Sequence, residues 1–542
     1  MLKKIFMGIL SIGLLFMVCC KRTCDNDAEK WQNQIRVDVA FPIESLDPRY
    51  ATSATALRIS KLIYAPLFTL DNDASPQPLL ASSIEAIDDK TFEITLRDGL
   101  SFHDGSPLTS EDVIYTYSQL KTDDVASPHA EKFDYVEKIR ALDGVHVIFE
   151  LKEPHAPFTT DLCAIGIVSK KNCEGRSQKC RHENLGSGPF LVKEWNTAKE
   201  ALTLTPFDKW YEGAPENELL FRVVRDENTR MLELIGQKAD LVDGEFSPTN
   251  VDELKNYSHL NVVEIPGLGY SYLAINVRGP SNLEASDSKP YIRKKALADP
   301  RVRQAIAHAI DFDQIIEKLL ANKAKRASGL IPNSHWAKDE TLKPPAFDKD
   351  KAERLLDEAG YQRQGPQKLR FGITIATTQN RTRQSIAQLY ADYLKKVGID
   401  AEIRVKDWSA LYQDIKNGQF EMFSAIWVPV TDPDLYHFVH HSSNIPGDKH
   451  GGGNRHGYEN HQVDRLIELG RKTMEQEKRK AIYQEIERIM IRDLPYIPLW
   501  NEDRIIVMNK NRIHGFIPSP TGCLLGLRKI SSLMAHDKRA GL

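Results

Sequence analysis

Five histidines crowd one short stretch: His437, His440, His441, His450 and His456, with Gly451-Gly452-Gly453 between them. Imidazoles at such density suit nickel, copper, zinc or haem iron. The glycines and polar neighbours argue instead for an exposed loop, and that reading is adopted. His103 beside Asp104 offers the parts of an acid–base pair, but a His-Asp pair in a turn more often serves the turn itself. The sequence contains no nucleophile elbow, metalloprotease helix motif or phosphate loop. A hydrolase therefore stays only as a class-level alternative.

The seven cysteines fall into two groups. Cys19, Cys20 and Cys24 sit near the amino terminus, and Cys163, Cys173, Cys180 and Cys523 are spread beyond it. Cys173 and Cys180 lie in a polar stretch, 170–183, that reads as a loop, so a local disulfide is expected in an oxidising compartment. Pairing does not follow from sequence, and ligand pairs at zinc-finger spacing are absent.

Lys3 and Lys4 precede an apolar run from Ile5 to Val18. At about 14 residues it falls short of the roughly 20 that span a bilayer, and it has the build of a secretory signal. The run ends at Cys19-Cys20 before Lys21 and Arg22. This resembles a bacterial lipoprotein signal, which implies cleavage of 1–20 and lipidation of Cys20, with Cys19 as the other candidate. A plain cleaved signal is the alternative. Residues 21–33 read as a tether.

The remaining 500 or so residues exceed one typical core, so two or three lobes are expected. Apolar residues make 41% of the chain and charged residues 27%, ordinary for a globular protein, and the net charge is -3. That balance gives no basic face for nucleic acid. Period-two alternation predicts strands at 35–40, 91–96, 400–405 and 495–508. Pro107–Asp112 reads as a helix start with Thr109 as N-cap and two acids in the first turn. Helical spacing continues over 300–320, 350–359 (closed by Gly360), 384–397 (closed by Gly398) and 463–492. Strands and helices alternate, so the class is mixed α/β.

From Thr91 to Val113 the order TFEITLRDGL, then FHDGSPLTSEDV, resembles the signature of the family 5 extracellular solute-binding proteins, the oligopeptide- and dipeptide-binding group. Gly186–Phe190 with Trp195, Asp208–Tyr211, Asp299–Asp311, and Leu394–Ile399 with Asp407-Trp408 agree in the same order. The resemblance implies a periplasmic-binding-protein-like type II fold of the large cluster C kind, a three-lobed clamshell that closes on its ligand by hinge motion. Lobe I would comprise 34–52, 186–268 and 493–531, lobe II 53–185, and lobe III 269–492. It further implies a lipid-anchored monomer outside the cytoplasm, capturing peptides for the membrane permease of an ABC importer. It implies no cofactor and no catalysis.

The same resemblance places ligand contacts at Trp408 and Trp427, where rigid aromatics give contact area at small entropic cost. A buried core role is the alternative for each. Tyr270, Tyr272 and Asn276 open lobe III beside the hinge, Asn276 being either a ligand contact or a hinge hydrogen bond. A strand from Phe41 to Ser45, through Ile43, would offer backbone groups to the peptide. Peptide-binding relatives often place an aspartate shortly after the second tryptophan to pair with the ligand's amine. This chain has Val430 there, and Asp432 is either a substitute anchor or a helix cap. A glutathione-like peptide, a nickel chelate or haem is therefore the alternative ligand.

Overall fold

The computed structural model describes residues 33–244, 246–247, 250–279, 295–427, 429–447 and 452–531. The signal, Cys19, Cys20, Cys24, almost all of the tether and His450 lie outside the described residues.

Eighteen strands organise them: β1 (Gln34–Val39), β2 (Phe68–Leu70), β3 (Pro76–Pro78), β4 (Ala81–Asp88), β5 (Thr91–Leu96), β6 (Val136–Ala141), β7 (His146–Leu151), β8 (Phe190–Asn196), β9 (Ala201–Pro206), β10 (Glu218–Val223), β11 (Leu241–Asp243), β12 (Leu260–Pro266), β13 (Tyr270–Ile275), β14 (Ala324–Arg326), β15 (Phe371–Thr378), β16 (Ile399–Lys406), β17 (Met422–Trp427) and β18 (Tyr496–Asn509). The long path runs β16-β15-β17-β13-β18-β11-β1-β10-β9-β8, with β12 and β14 also on β18. β4-β5-β7-β6 form a separate antiparallel sheet.

The centre of the path is β18, a strand of 14 residues. Its first half pairs with β13 (Tyr272 opposite Pro498) and β14, and its second half with β11 (Asp243 opposite Ile506) and β12. One strand thus belongs to two sheets. The apolar interior divides accordingly. One core gathers β1, β8 to β10, the four-stranded sheet and the 513–530 segment, while others lie wholly between Tyr270 and Trp500. The chain crosses between the halves a second time at 267–269, where Asn501 Nδ2 donates to the carbonyl of Gly269 at 2.7 Å.

Local chemistry explains the helices. Thr109 and Asp112 form a capping box, Thr109 N–H donating to Asp112 Oδ2 at 2.9 Å. Gly360 and Gly398, both at positive φ, follow the helices Lys349–Glu358 and Arg381–Lys396. The helix expected over 300–320 is two helices, Pro300–Ala309 and Phe312–Leu319. Asp311 ends the first run because its carboxylate accepts the Gln314 N–H at 2.9 Å and caps the second. The loop expected at 170–183 is also corrected. It holds two short helices, Lys170–Cys173 and Ser177–Glu183, joined by the Cys173–Cys180 disulfide with Cα atoms 5.1 Å apart.

The ends of the described chain meet. Asn217 Nδ2 donates to the Ile530 carbonyl at 3.0 Å, and Glu218 pairs with Gln34 at the start of β1.

His103 is neither solvated nor a turn-maker. Its Nε2 donates to the Gly188 carbonyl at 3.1 Å and its Nδ1 accepts the Gly186 N–H at 3.3 Å. Burial lowers its pKa to about 4, so the neutral ring holds this loop. The loop lies against the end of the helix Ala54–Ile63, where a Cβ at Gly186 would run into the carbonyl oxygen of Ile63. Gly186→Ala is expected to cost about 1–3 kcal/mol of stability through forced backbone displacement. Urea unfolding checks this, and a wild-type midpoint would show that the loop has room to move.

Candidate functional site

Ligands of open α/β sheets bind beyond the carboxyl ends of parallel strands. β15 runs parallel to β16 and β17, and β1 runs parallel to β10 and β11. The carboxyl ends of the first set are Thr378, Lys406 and Trp427, and those of the second are Val39, Val223 and Asp243. The registers bring the two sets together. Trp427 lies opposite Tyr270, Ser271 opposite Trp500, Pro266 opposite Asp503 and Asp243 opposite Ile506. Both sets therefore converge on the stretch of β18 from Trp500 to Ile506, where the halves of the molecule join.

Aromatic side chains line this convergence. Trp408 opens the helix Trp408–Lys416, whose cap Asp407 accepts the Ala410 N–H at 3.0 Å. Trp408 is 52% exposed, although its ring packs 5.7 Å from that of Tyr412. Arg455 lies over Tyr412 and donates to its hydroxyl at 3.1 Å. Tyr272 is buried, stacked on Tyr496 at 4.3 Å, on Tyr270 at 5.7 Å and on Trp427 at 6.2 Å. Phe438, partly exposed, meets Trp427 edge-on. Phe41, 58% exposed, follows β1 on the opposite side of the convergence.

The expected strand from Phe41 to Ser45 does not form. β1 stops at Val39 and residues 42–45 have no ladder partner. Pro42 lacks an N–H and restricts Phe41 before it, so pairing cannot continue. Ile43 is half-buried against the core of its own half.

The other candidate side chains are largely committed within the protein. Asn276 is buried, its amide donating to the carbonyls of Gly418 at 3.0 Å and Phe420 at 2.9 Å while its oxygen accepts the Arg278 N–H. Both oxygens of Asp432 are held by the buried Arg479, and Oδ1 also accepts the Asp434 N–H at 2.7 Å. Val430 is buried and its N–H donates to the Leu268 carbonyl at 2.9 Å. Across the convergence, Arg58 and Arg504 hold Asp243.

Two donors remain. The buried Trp427 Nε1–H has no acceptor among the described residues. Arg383, half-buried in the first turn of the helix that follows β15, has no carboxylate partner among them either. It lies close enough to Tyr272 to oppose the upward pKa shift that burial gives that hydroxyl. Sequence reasoning missed Arg383, and its position just after a β15 carboxyl end was the available signal.

The described histidines of that stretch do not lie in an exposed loop. His440 and His456 are almost wholly buried, with His440 Nδ1 3.1 Å from His456 Nε2, against Tyr496. His441 is buried too, and His437 is half-buried. Packing under β18 outweighs the glycines. Among the described residues no three His, Cys, Asp or Glu side chains form a group able to hold a metal ion.

The family described as "Bacterial extracellular solute-binding proteins, family 5 Middle" matches residues 75–446. The chain is 25% identical to the oligopeptide-binding protein AppA of Bacillus subtilis, over 89% of this chain and 88% of AppA. It is 28% identical to the probable D,D-dipeptide-binding periplasmic protein DdpA of Escherichia coli, over 81% and 82%. The structure of AppA in complex with a nonapeptide superimposes with a TM-score of 0.76 at 23% identity, covering 92% of this chain and 99% of AppA. That likeness is one of fold, and the fold is the cluster C periplasmic-binding-protein type.

Two outcomes test this arrangement. Asp432→Asn leaves Arg479 buried without its counter-charge and is expected to cost about 3 kcal/mol or more in denaturant unfolding; an unchanged midpoint would show the pair to be dispensable. Burial lowers His440 to about 3 and His456 well below its usual value. Since these values are depressed in the fold, the stability that the neutral pair contributes is present above the unfolded value of about 6.5 and is lost as pH falls toward 3. Nitrogen NMR is expected to find both rings neutral at pH 5, and protonated rings there would contradict the buried pair.

Proposed function

Because the chain belongs to the family 5 bacterial extracellular solute-binding proteins, we propose that it is the binding component of an ABC importer, capturing oligopeptides or dipeptides and releasing them chemically unchanged to a membrane permease. The observation that carries this reading is that, among the described residues, the Trp427 Nε1–H has no acceptor and Arg383 no carboxylate partner, at converging carboxyl ends lined by Trp408 and Phe438. A peptide supplies what they lack. Its main-chain carbonyl accepts from the indole, its terminal carboxylate from the guanidinium, and its side chains lie against the aromatic rings. Reading the backbone and one terminus, with water adapting to each side chain, gives broad specificity.

With Val430 in the core and Asp432 held by Arg479, the ligand's carboxylate rather than its amine is the charged group recognised. Lobes I (34–52, 186–268 and 493–531), II (53–185) and III (269–492) close by bending where β18 and 267–269 cross. The protein acts as a monomer outside the cytoplasm, tethered through lipid on Cys20. The names of the relatives AppA and DdpA support a peptide ligand.

Native mass spectrometry of the purified protein with a peptide library is expected to find one bound peptide per chain with unaltered mass; hydrolysed products would replace this reading with an enzyme. Arg383→Ala is expected to weaken a free-carboxylate peptide by about 1.5–3 kcal/mol and to leave its C-terminal amide little changed. Trp427→Ala is expected to cost both forms about 2 kcal/mol. Equal losses for acid and amide in Arg383→Ala, measured by calorimetry, would remove Arg383 from the site.

A further inference from the structure

Away from the crossing strands, the two halves of the molecule touch again. A turn after β7 reads Glu153-Pro154-His155-Ala156-Pro157. Its prolines fix two φ angles and leave few donors. His155 is buried, stacked on Tyr135 with ring centroids 3.6 Å apart, and its Nε2 donates to Asp161 Oδ2 at 3.0 Å. Tyr135 donates to the same oxygen at 3.0 Å, and Lys132 lies 2.9 Å from the other. Phe158 anchors the turn in the core shared by the four-stranded sheet and β1. The turn is therefore rigid and belongs to one half.

It faces the end of the helix His461–Lys472, whose Val463 and Ile467 are packed in a core of the other half. The last carbonyls of a helix have no partner within it. Here Leu469 O accepts from Thr473 Oγ1 at 2.8 Å and Gly470 O from Arg479 Nε at 3.2 Å. Arg471 O accepts from Ala156 N–H at 2.7 Å, across the gap between the halves. Beside it Lys472 Nζ lies 2.7 Å from Glu153, an ion pair exposed on both sides. Arg471 Nε lies 3.0 Å from Asp434 Oδ1. One half thus caps a helix of the other.

We propose that this seam is the latch that sets how long the closed trap keeps its ligand: Ala156 and Glu153 on one half and Arg471 and Lys472 on the other are positioning residues that touch no ligand and hold the halves together. The inference rests on the reading of the chain as a hinged peptide trap. When the halves part, the Arg471 carbonyl exchanges a protein donor for water and the ion pair dissolves. The net loss is small for each contact, as a trap that must reopen requires.

The test is the rate at which a dye-labelled peptide, of the sequence captured from the library, leaves each variant after mixing with excess unlabelled peptide. Ala156→Pro removes the donor and is expected to speed release by about two- to tenfold. Glu153→Lys and Lys472→Glu, both at exposed positions that do not threaten folding, are each expected to speed it about two- to fourfold, and the double exchange to restore the wild-type rate. Wild-type release from Ala156→Pro and from both single exchanges, or a double exchange as fast as the singles, would overturn the latch. A wild-type protein that captures no peptide would defeat the proposed function instead. Small-angle scattering of the ligand-free protein then still reads the seam: each single exchange is expected to enlarge the radius of gyration and the double to restore it, and equal radii throughout would refute it.

Discussion

The whole molecule depends on β18 satisfying two sheets at once. Backbone N–H and C=O groups buried away from water must be paired. Along β18 the partners change from β13 and β14 to β11 and β12 within a few residues. Neither sheet can be completed without the other half's strand, so the halves are joined by the ladder itself rather than by a linker. Strand direction does the rest. Because β18 is antiparallel to β11 and to β13, and β13 is antiparallel to β17, the carboxyl ends of both parallel sets must face the same crossing. The location of the convergence is a consequence of hydrogen-bond register.

Around that crossing, scaffold and recognition are separated by how polar groups are paired. Asp432 with Arg479, Asp243 with Arg58 and Arg504, and Asn276 with two carbonyls are closed networks. Such groups rigidify the frame, because any one left alone in a low-dielectric site is costly. Trp427 Nε1 and Arg383 stand apart from those networks. The arrangement of open donors on a closed frame keeps recognition geometry fixed while leaving the guest's side chains unspecified.

What was legible in the sequence was local. Capping at Thr109, helix ends at Gly360 and Gly398, and alternation in β5 and β16 depend on neighbours a few residues away, and the structure bears them out. The family signature carried the fold class. What was not legible depends on distant partners. The double membership of β18 joins Ile506 to residues more than 200 positions earlier. The burial of His440 and His456 is decided by Tyr496, and the order in 170–183 by the Cys173–Cys180 bridge and its packing. Composition read both as loops because it cannot see what covers or cross-links a segment. Arg383 escaped notice for the complementary reason: its significance lies in the absence of a neighbour.

The meeting of Gln34 and Ile530 at Asn217 and Glu218 has a geometric consequence. β1 begins at that corner and ends at the convergence, so its length, about 20 Å at the usual rise per residue, separates the two ends of the described residues from the mouth. The described chain therefore enters at Gln34 and leaves at Ile530 on the side away from the opening.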